Sequence, residues 1–281
     1  MNYEVSVRLT FFFGIFAIMA IWEVLTPRRV LTTSKTVRWL SNMGIVLLNS
    51  VALRALFPLM AINVAMMARE SGWGLLNAYN LPYWLAIVVG VLLLDLVMYL
   101  QHVMFHAVPG LWRLHMMHHA DLDFDVTTGL RFHPIEIILS MGLKMAAVMV
   151  IGPPALAVLI FEVLLNGTAM FNHGNIVLPV NIDRLLRLLV VTPDMHRVHH
   201  SVIIREANSN FGFNFPWWDR LLGTYRSQPA AGHKDMVIGL SQFRDAKRLT
   251  LPWMLALPFI GNPGEYAVNR RGKEPVSKEI R

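Results

Sequence analysis

The chain has 281 residues and a formal net charge of +7, and it is 55% hydrophobic but only 15% charged. Its mean hydropathy of +0.47 lies far from the balance of a soluble domain and predicts a polytopic membrane protein. The absence of cysteine excludes disulfides, iron–sulfur clusters and thiolate-ligated haem. The basic residues are scattered over loops and the tail, which disfavours nucleic acid as a partner and fits a surface on anionic lipid.

Five apolar stretches approach the roughly 20 residues that cross a bilayer, and each predicts a membrane-spanning helix. They cover residues 7–25, 42–67, 82–101, 134–150 and 153–171. The last two meet at Gly152-Pro153-Pro154 and form either a full helical hairpin or a re-entrant one. The first loop carries Arg28, Arg29, Lys35 and Arg38, so it is expected to be cytoplasmic. If the spans are counted onward from this loop, the three histidine clusters, which are described in the following paragraph, lie on the same side of the membrane.

Eight of the eleven histidines fall into three tight clusters. These are His102-x-x-x-His106, His115-x-x-His118-His119 and His196-x-x-His199-His200. On helices, spacings of three and four residues put the imidazoles of one cluster on one face. Imidazole suits zinc, copper, iron and nickel, and eight such ligands exceed what one ion holds. The pattern therefore predicts a two-metal centre at the surface of a bilayer.

The segments around the clusters match one family in order and spacing. They are DLVMYLQHVMFH (95–106), LWRLHMMHH (111–119), RFHPIE (131–136), FNHGN (171–175), TPDMHRVHHS (192–201) and NSNFGFNFPWWDRLLGTY (208–225). In these segments the chain resembles the fatty acid hydroxylase and sterol desaturase superfamily of integral-membrane di-iron oxygenases. One departure is Val103, where many members carry arginine, and it removes no ligand.

The resemblance implies an all-α fold, with a polytopic transmembrane helical stem and a cytoplasmic, histidine-rich helical cap that holds a di-metal centre. Three segments are expected: N-terminal transmembrane helices at 1–81, a fatty acid hydroxylase-like catalytic domain at 82–228, and a C-terminal interfacial segment with a polar tail at 229–281. Within the last segment, the apolar run 251–260 is too short to cross, so it lies at the interface or packs on the core.

The expected metal ligands are the eight clustered histidines and a ninth, His173, which matches a family position that commonly supplies a further ligand. His133 matches another family motif and is expected to act as a ligand or as a hydrogen-bonding support. Asp95 and Asp194 are candidates for carboxylates that orient the ligand rings, with capping of a neighbouring helix as the alternative for Asp95. The acidic run 121–125 is interpreted as a solvated loop, and His233 as a surface residue.

The function implied by the resemblance is O₂-dependent hydroxylation or desaturation of a lipid, either fatty acyl or sterol-like, by two iron ions. Zinc is an alternative metal in a purified sample, since the ligand set tolerates it. The substrate would enter from the bilayer, and electrons would come from an external ferredoxin, cytochrome or reductase. Basic residues such as Arg28 and Arg29 would suit docking of an acidic carrier. By analogy, a bacterial inner membrane is the expected location.

Two other classes of function remain open at the level of sequence. A membrane metal-binding or transport protein would also use histidines, although transporters place ligands along a path near the bilayer midplane. A zinc hydrolase would need a general-base carboxylate beside an open metal position, as in HExxH, and that motif is absent.

Overall fold

Helices form the regular secondary structure of residues 2–57, 59–79 and 81–267, which are the residues that the computed structural model describes. Within these ranges, strand-like pairing is limited to two isolated bridges, Pro27 with Ile176 and Ser201 with Ile238. The predicted all-α class is therefore confirmed. In chain order the α-helices are α1 (Asn2–Leu25), α2 (Lys35–Leu56), α3 (Ala61–Glu70), α4 (Leu75–Ala78), α5 (Tyr83–Ala107), α6 (Pro109–His119), α7 (Pro134–Ile151), α8 (Ala155–Asn172), α9 (Val180–Leu186), α10 (Pro193–His199), α11 (Ile204–Ala207), α12 (Trp217–Leu221), α13 (Gly232–Asp235) and α14 (Leu251–Ile260).

Five helical stretches among the described residues are long and apolar enough to cross a membrane. They are Tyr3–Leu25, Lys35–Ala78, Tyr83–Ala107, Pro134–Ile151 and Ala155–Asn172. Many of their large apolar side chains are exposed, including Phe13 on α1 and Leu47 on α2. A soluble protein rarely exposes such large contiguous apolar surfaces, whereas a lipid-facing stem does. The chain is a multi-pass membrane protein.

The span predicted at 42–67 lies inside the second of these stretches, but it is divided between two helices. Helix α2 ends at Leu56 and α3 begins at Ala61. Phe57 follows α2, and its φ of −118° and ψ of 90° are not helical. The next residue in the sequence is Pro58. The ring of a proline disfavours a helical conformation in the preceding residue, which explains the break. Helix α3 then packs against α7 and α8.

Helices α7 and α8 form the predicted hairpin. Gly152 ends α7 with a φ of 65°, a left-handed conformation that glycine adopts without strain. Each helix has 18 residues and is therefore about 27 Å long, close to the thickness of a bilayer core. Val148 of α7 and Phe161 of α8 are fully buried against α5 and α3 in the stem's main apolar cluster. By length, both helices are able to cross completely.

Shorter helices cover one end of the stem, at the last turns of α5 and α8. Helix α14 packs against α6 and α2. Its Met254 and Leu257 are buried beside Trp112 and Met116, while Phe259 is exposed. The apolar run 251–260 therefore packs on the core through one face. Most of the predicted polar tail, from residue 268 onward, lies outside the described residues.

The acidic run after α6 is buried, so its interpretation as a solvated loop is wrong. Asp121 and Asp125 both accept hydrogen bonds from Arg38 of α2, at 2.7 Å and 2.6 Å. Asp123 accepts from the backbone amides and hydroxyls of residues 32–33. The three carboxylates are therefore neutralised or hydrogen-bonded by groups from the first loop and α2, which is what permits their burial.

Candidate metal centre

Nine histidines converge where the cap meets the stem. Helix α5 carries His102 and His106 on one face of its last two turns, and α8 ends at its C-cap residue His173. The two HxxHH clusters lie on α6 and on α10, with the last histidine of the second at the C-cap of α10. All nine side chains are at most 2% exposed. The structure therefore brings together every histidine of the three clusters and His173.

The nine residues divide into two groups, in each of which the ligand nitrogens lie within 4.8 Å of one another. The first group is His102, His106, His115, His119 and His199, and the second is His118, His173, His196 and His200. Neighbouring residues of a helix point about 100° apart, so the adjacent histidines of each HxxHH cluster face different groups. Each cluster thereby supplies both groups, which ties the two sites into one centre.

The tautomers of five rings follow from what their Nδ1 atoms contact. Three of these rings donate Nδ1–H to a backbone carbonyl, which only accepts. They are His102 to Phe211 (2.8 Å), His173 to Ala169 (2.8 Å) and His199 to Ser209 (2.7 Å).

The other two rings contact side chains. His115 Nδ1 lies 2.7 Å from Glu136 Oε1, and His106 Nδ1 lies 3.1 Å from Asn208 Oδ1. The amide nitrogen of Asn208 donates to two backbone carbonyls, which leaves its oxygen facing His106. In all five neutral rings, Nε2 therefore carries a lone pair that is free to bind a metal.

The separations between Nε2 atoms fit bound cations. His102 Nε2 lies 3.1 Å from His115 Nε2, although both rings have their proton on Nδ1. Two lone pairs cannot hydrogen-bond to each other, so this approach is favourable only if a positive ion lies between them. Nitrogens about 2.1 Å from one ion are about 3.0–3.4 Å apart at bond angles of roughly 90–109°. In the second group the separations fall in the same range, with His173 Nε2 at 3.2 Å from His118 Nε2 and 3.1 Å from His196 Nε2.

Burial keeps the rings neutral. Desolvation lowers the pKa of His115 and of His173 to about 3. Desolvation, together with repulsion from neighbouring imidazoles, lowers the pKa of His119 and of His200 well below its usual value. Among the described residues, both ring nitrogens of His200 are buried without a hydrogen-bond partner, as is Nε2 of His199. Neutral, unpartnered imidazole nitrogens are the donor set that a transition metal requires.

Glu136 is the carboxylate that holds the ring of His115, and sequence reasoning did not single it out. It lies in the first turn of α7, is 3% exposed, and accepts from His115 Nδ1. Its position in RFHPIE, two residues after Pro134, was the available signal. Asn208 performs the corresponding task for His106.

Asp95 and Asp194, the two carboxylates predicted to orient ligand rings, contact other groups. Asp95 accepts from Asn214 Nδ2 and Trp218 Nε1, and so fixes the segment that follows the last cluster. Asp194 binds Arg28 at 2.9 Å and also pairs with Arg197. Neither carboxylate hydrogen-bonds to one of the nine rings. Asp95 therefore supports the centre indirectly, through the backbone that it positions.

His133 lies in neither group. It is the N-cap of α7, where its Nδ1 accepts from the amide of Ile135 and its Nε2 contacts the carbonyl of Leu255 at 3.2 Å. Of the two expectations for this residue, the structure fits the hydrogen-bonding support. His233 is buried and lies 3.7 Å from Asp194, so its interpretation as a surface residue is wrong.

Replacing Glu136 tests its role in holding His115. Outer-shell partners of ligand histidines typically contribute about 10–100-fold to metal affinity or activity. We expect Glu136→Leu to lower activity or metal affinity by nearly 100-fold, and Glu136→Gln, which keeps an acceptor oxygen, by about 10-fold. Metal content by mass spectrometry and initial rates measure both effects. Glu70→Gln, at an exposed glutamate that ends α3, is the control. Unchanged metal content and rate in Glu136→Leu would show that the contact is dispensable.

A mostly apolar cavity of about 400 Å³ leads from the first histidine group into the stem. His102, His115 and Glu136 line one end of it, and helices α1, α2, α5, α7 and α8 form its walls. Phe105 and Phe213 lie on its surface beside the rings. A hydrocarbon chain in this cavity would therefore end next to metal-binding nitrogens.

Comparison with known proteins identifies the same region. Residues 87–224 match the fatty acid hydroxylase family model, and this match lies within the predicted segment 82–228. The chain is similar to the ornithine lipid hydroxylase of Rhizobium tropici, with 28% identity over 70% of this chain and 57% of that protein. It is also similar to the alkylglycerol monooxygenase of Homo sapiens, with 26% identity over 60% of this chain and 36% of that protein. The chain thus spans only about a third to somewhat over half of these relatives. No solved structure matches it significantly.

Proposed function

Because this chain belongs to the fatty acid hydroxylase superfamily, we propose that it is a membrane-bound di-iron oxygenase that hydroxylates a lipid. The observation that carries the proposal is that an apolar cavity opens onto the five-histidine group. The names of the similar proteins support a lipid substrate, since one acts on an ornithine lipid and the other on an alkylglycerol. Both names denote oxygen insertion, so hydroxylation is proposed ahead of desaturation.

The nine grouped histidines would hold the two ions, five at one and four at the other. When bound, iron would supply the redox chemistry with O₂ that cleavage of an unreactive C–H bond requires, which zinc alone does not supply. The five rings with hydrogen-bonded Nδ1 atoms are fixed in orientation before any metal arrives. This preorganisation reduces the rearrangement needed on binding.

The walls of the site would orient the substrate and exclude water. The ring of Phe132 stacks on His118 with centroids 4.5 Å apart, and Phe213 lies 4.9 Å from His102. Both phenylalanines line the cavity. Apolar rings at this position favour a hydrocarbon over water beside the ligand nitrogens, which protects a reactive centre from side reactions.

The other two classes of function fit the geometry less well. A transporter would need ligands along a path, whereas these nine histidines form one buried pair of groups at the ends of α5 and α8. A zinc hydrolase would need a carboxylate free to act as a base, whereas Glu136 is bound to a ligand histidine.

An external electron donor is part of the proposal, as are a bacterial inner membrane and a cytoplasmic position of the metal centre. Arg28 and Arg29, which were suggested as a docking patch for the donor, have contacts within the chain. Arg28 binds Asp194, and Arg29 donates to the carbonyls of residues 233, 234 and 236. Both guanidinium groups therefore have internal partners. We expect docking to use other basic residues of the cap.

Labelled dioxygen tests the proposed reaction. Cells that express the chain, or its His199→Ala variant, are grown under dioxygen enriched in ¹⁸O. Their membranes are then analysed by untargeted lipid mass spectrometry. We expect a lipid that gains one labelled oxygen atom only with the intact histidine. Loss of two hydrogens without label would instead assign desaturation. No change in any lipid, with a reductase supplied and two irons bound, would overturn the oxygenase proposal.

A further inference from the structure

Three charged side chains meet deep in the stem, far from the metal centre. Arg8 of α1 lies 2.5 Å from Glu162 of α8, and Lys144 of α7 donates to the same carboxylate at 2.8 Å. All three residues belong to candidate membrane spans. Charged residues are costly inside a membrane and mark functional sites there more often than structural ones. This set, which we call the stem triad, combines two cations with one anion.

The stem triad lines the same cavity as the five-histidine group. Arg8, Lys144 and Glu162 contribute to its wall, together with apolar residues of α1 and α8. Lys144 lies eight residues after Glu136 on α7, so the two are about 12 Å apart along the helix. The cavity is therefore amphipathic: one end is cationic, the middle is mostly apolar, and the other end carries metal-binding imidazoles.

The charge of the stem triad is not balanced from within. Glu162 neutralises one of the two cations, and the remaining charge of about +1 lies in apolar surroundings where it is unfavourable without a counter-ion. The hydrogen bonds are also incomplete. Among the described residues, Nε of Arg8 is buried without a hydrogen-bond partner, and the ammonium group of Lys144, which has three donors, uses one on Glu162. Both deficits would be met by an anion.

The position of the triad fits the head of an amphiphile. Lys144 and Glu162 each lie seven residues from the hairpin turn, about 10 Å from the end of the stem opposite the histidines. A headgroup bound there lies within the stem on the hairpin-turn side, while its hydrocarbon tail runs through the apolar part of the cavity toward His102 and His115.

We propose that the stem triad binds the anionic headgroup, a carboxylate or a phosphate, of a single-chain lipid whose hydrocarbon chain fills the cavity. The assignment of this lipid as the substrate rests on the proposed function, whereas its binding does not. If this lipid is the substrate, the reacting carbon lies in its hydrocarbon tail, about 12 Å from the headgroup.

The test measures binding with the full chain in neutral detergent, at a mildly alkaline pH that ionises a carboxylate. The probes have equal chain length: hexadecanoate, hexadecyl phosphate, hexadecanol and hexadecylamine. We expect the wild-type protein to bind hexadecanoate or hexadecyl phosphate at least about 10-fold more tightly than hexadecanol, with hexadecylamine weakest. The tighter of the two anions identifies whether the natural headgroup is a fatty acid or a phosphate ester, and either supports the proposal. Equal affinity for hexadecanoate, hexadecyl phosphate and hexadecanol would overturn it.

Two substitutions at one position separate charge from fold. Lys144→Met removes the surplus charge but leaves the neutral Arg8–Glu162 pair, so we expect the preference for the anion to fall about 10-fold. Lys144→Arg keeps the charge and should keep the preference, and Lys247→Met in the cap is the control for loss of a lysine elsewhere. An unchanged preference in Lys144→Met would overturn the proposal. Because binding needs neither O₂ nor electrons, it is measured separately from turnover. A protein that binds anions selectively but oxidises no lipid would overturn only the proposed function.

Discussion

Replacing His173 by alanine is expected to remove about half of the bound iron and to lower product formation by more than about 100-fold. Loss of a residue that only hydrogen-bonds to a metal ligand typically costs up to about 100-fold, and loss of a ligand itself should cost more. His173 is the ligand candidate with the closest pair of neighbours in the second group, with Nε2 within 3.2 Å of both His118 and His196. Its loss would leave three imidazoles at that ion. Since the cavity reaches the first group, the remaining ion would still lie beside the substrate, but a two-metal reaction could not proceed.

His133→Ala is the matched control for this prediction, because His133 is also a buried histidine in a family motif. Its ring caps α7 and contacts Leu255, so its loss should reduce stability by about 0.5–2 kcal/mol, the usual range for a helix N-cap, without removing iron. Metal analysis of both purified variants, with initial rates, gives the comparison. Two bound irons in His173→Ala, or equal iron loss in the two variants, would contradict the assignment of ligands.

The histidines of the candidate centre could be picked out from the sequence because their signal is local. Spacings of three and four residues bring rings onto one helix face whatever the rest of the fold does, and His173 was added from its family motif alone. The split into two groups follows from the same helical geometry, since adjacent histidines must diverge. The sizes of the two groups, five and four histidines, do not follow from it, because they depend on how four helices are placed around the centre.

The groups that hold the ligand rings could not be found in this way. A carboxylate near the end of a span is costly unless it is paired, which makes Asp95 a candidate, but its partners, Asn214 and Trp218, lie more than a hundred residues away in sequence. Three rings are held by backbone carbonyls, which any residue type supplies and no sequence pattern marks. Glu136 was inside a recognised motif, yet only the fold shows that it faces His115.

The acidic run 121–125 was misjudged for a related reason. Three aspartates at alternate positions are typical of an exposed loop when they are considered alone. Their burial depends on Arg38, which lies more than eighty residues earlier and which was interpreted only as a marker of the cytoplasmic side. Burial alone would raise the pKa of Asp121, but the guanidinium group of Arg38 holds it below its usual value. The carboxylate is therefore charged, and Arg38 is its main partner beside the hydroxyl of Thr128, which donates to it at 2.9 Å, and the nearby charge of Arg131.

Arg38→Met is accordingly expected to be the most destabilising single substitution considered for this chain. Arg38 is fully buried and donates to Asp121 through two nitrogens, at 2.7 Å and 2.8 Å, and to Asp125 at 2.6 Å. Breaking a buried ion pair from one side leaves an uncompensated charge and typically costs about 3–5 kcal/mol. For a chain of this size, that corresponds to a fall of about 10 °C in the midpoint of thermal unfolding. Tryptophan fluorescence in detergent micelles measures this midpoint.

A rescue experiment shows whether the loss comes from the stranded carboxylates. Removing both sides of a buried pair costs less stability than removing one side. The triple variant with Arg38→Met, Asp121→Asn and Asp125→Asn should therefore have a higher midpoint of thermal unfolding than Arg38→Met alone. Arg54→Met, at an exposed arginine of the same helix, should change the midpoint little. Because Asp121 lies two residues after His119, at the end of a ligand-bearing helix, Arg38→Met should also lower iron content, and the triple variant should restore some of it. A triple variant less stable than Arg38→Met would show instead that the guanidinium group stabilises this region by packing rather than by charge.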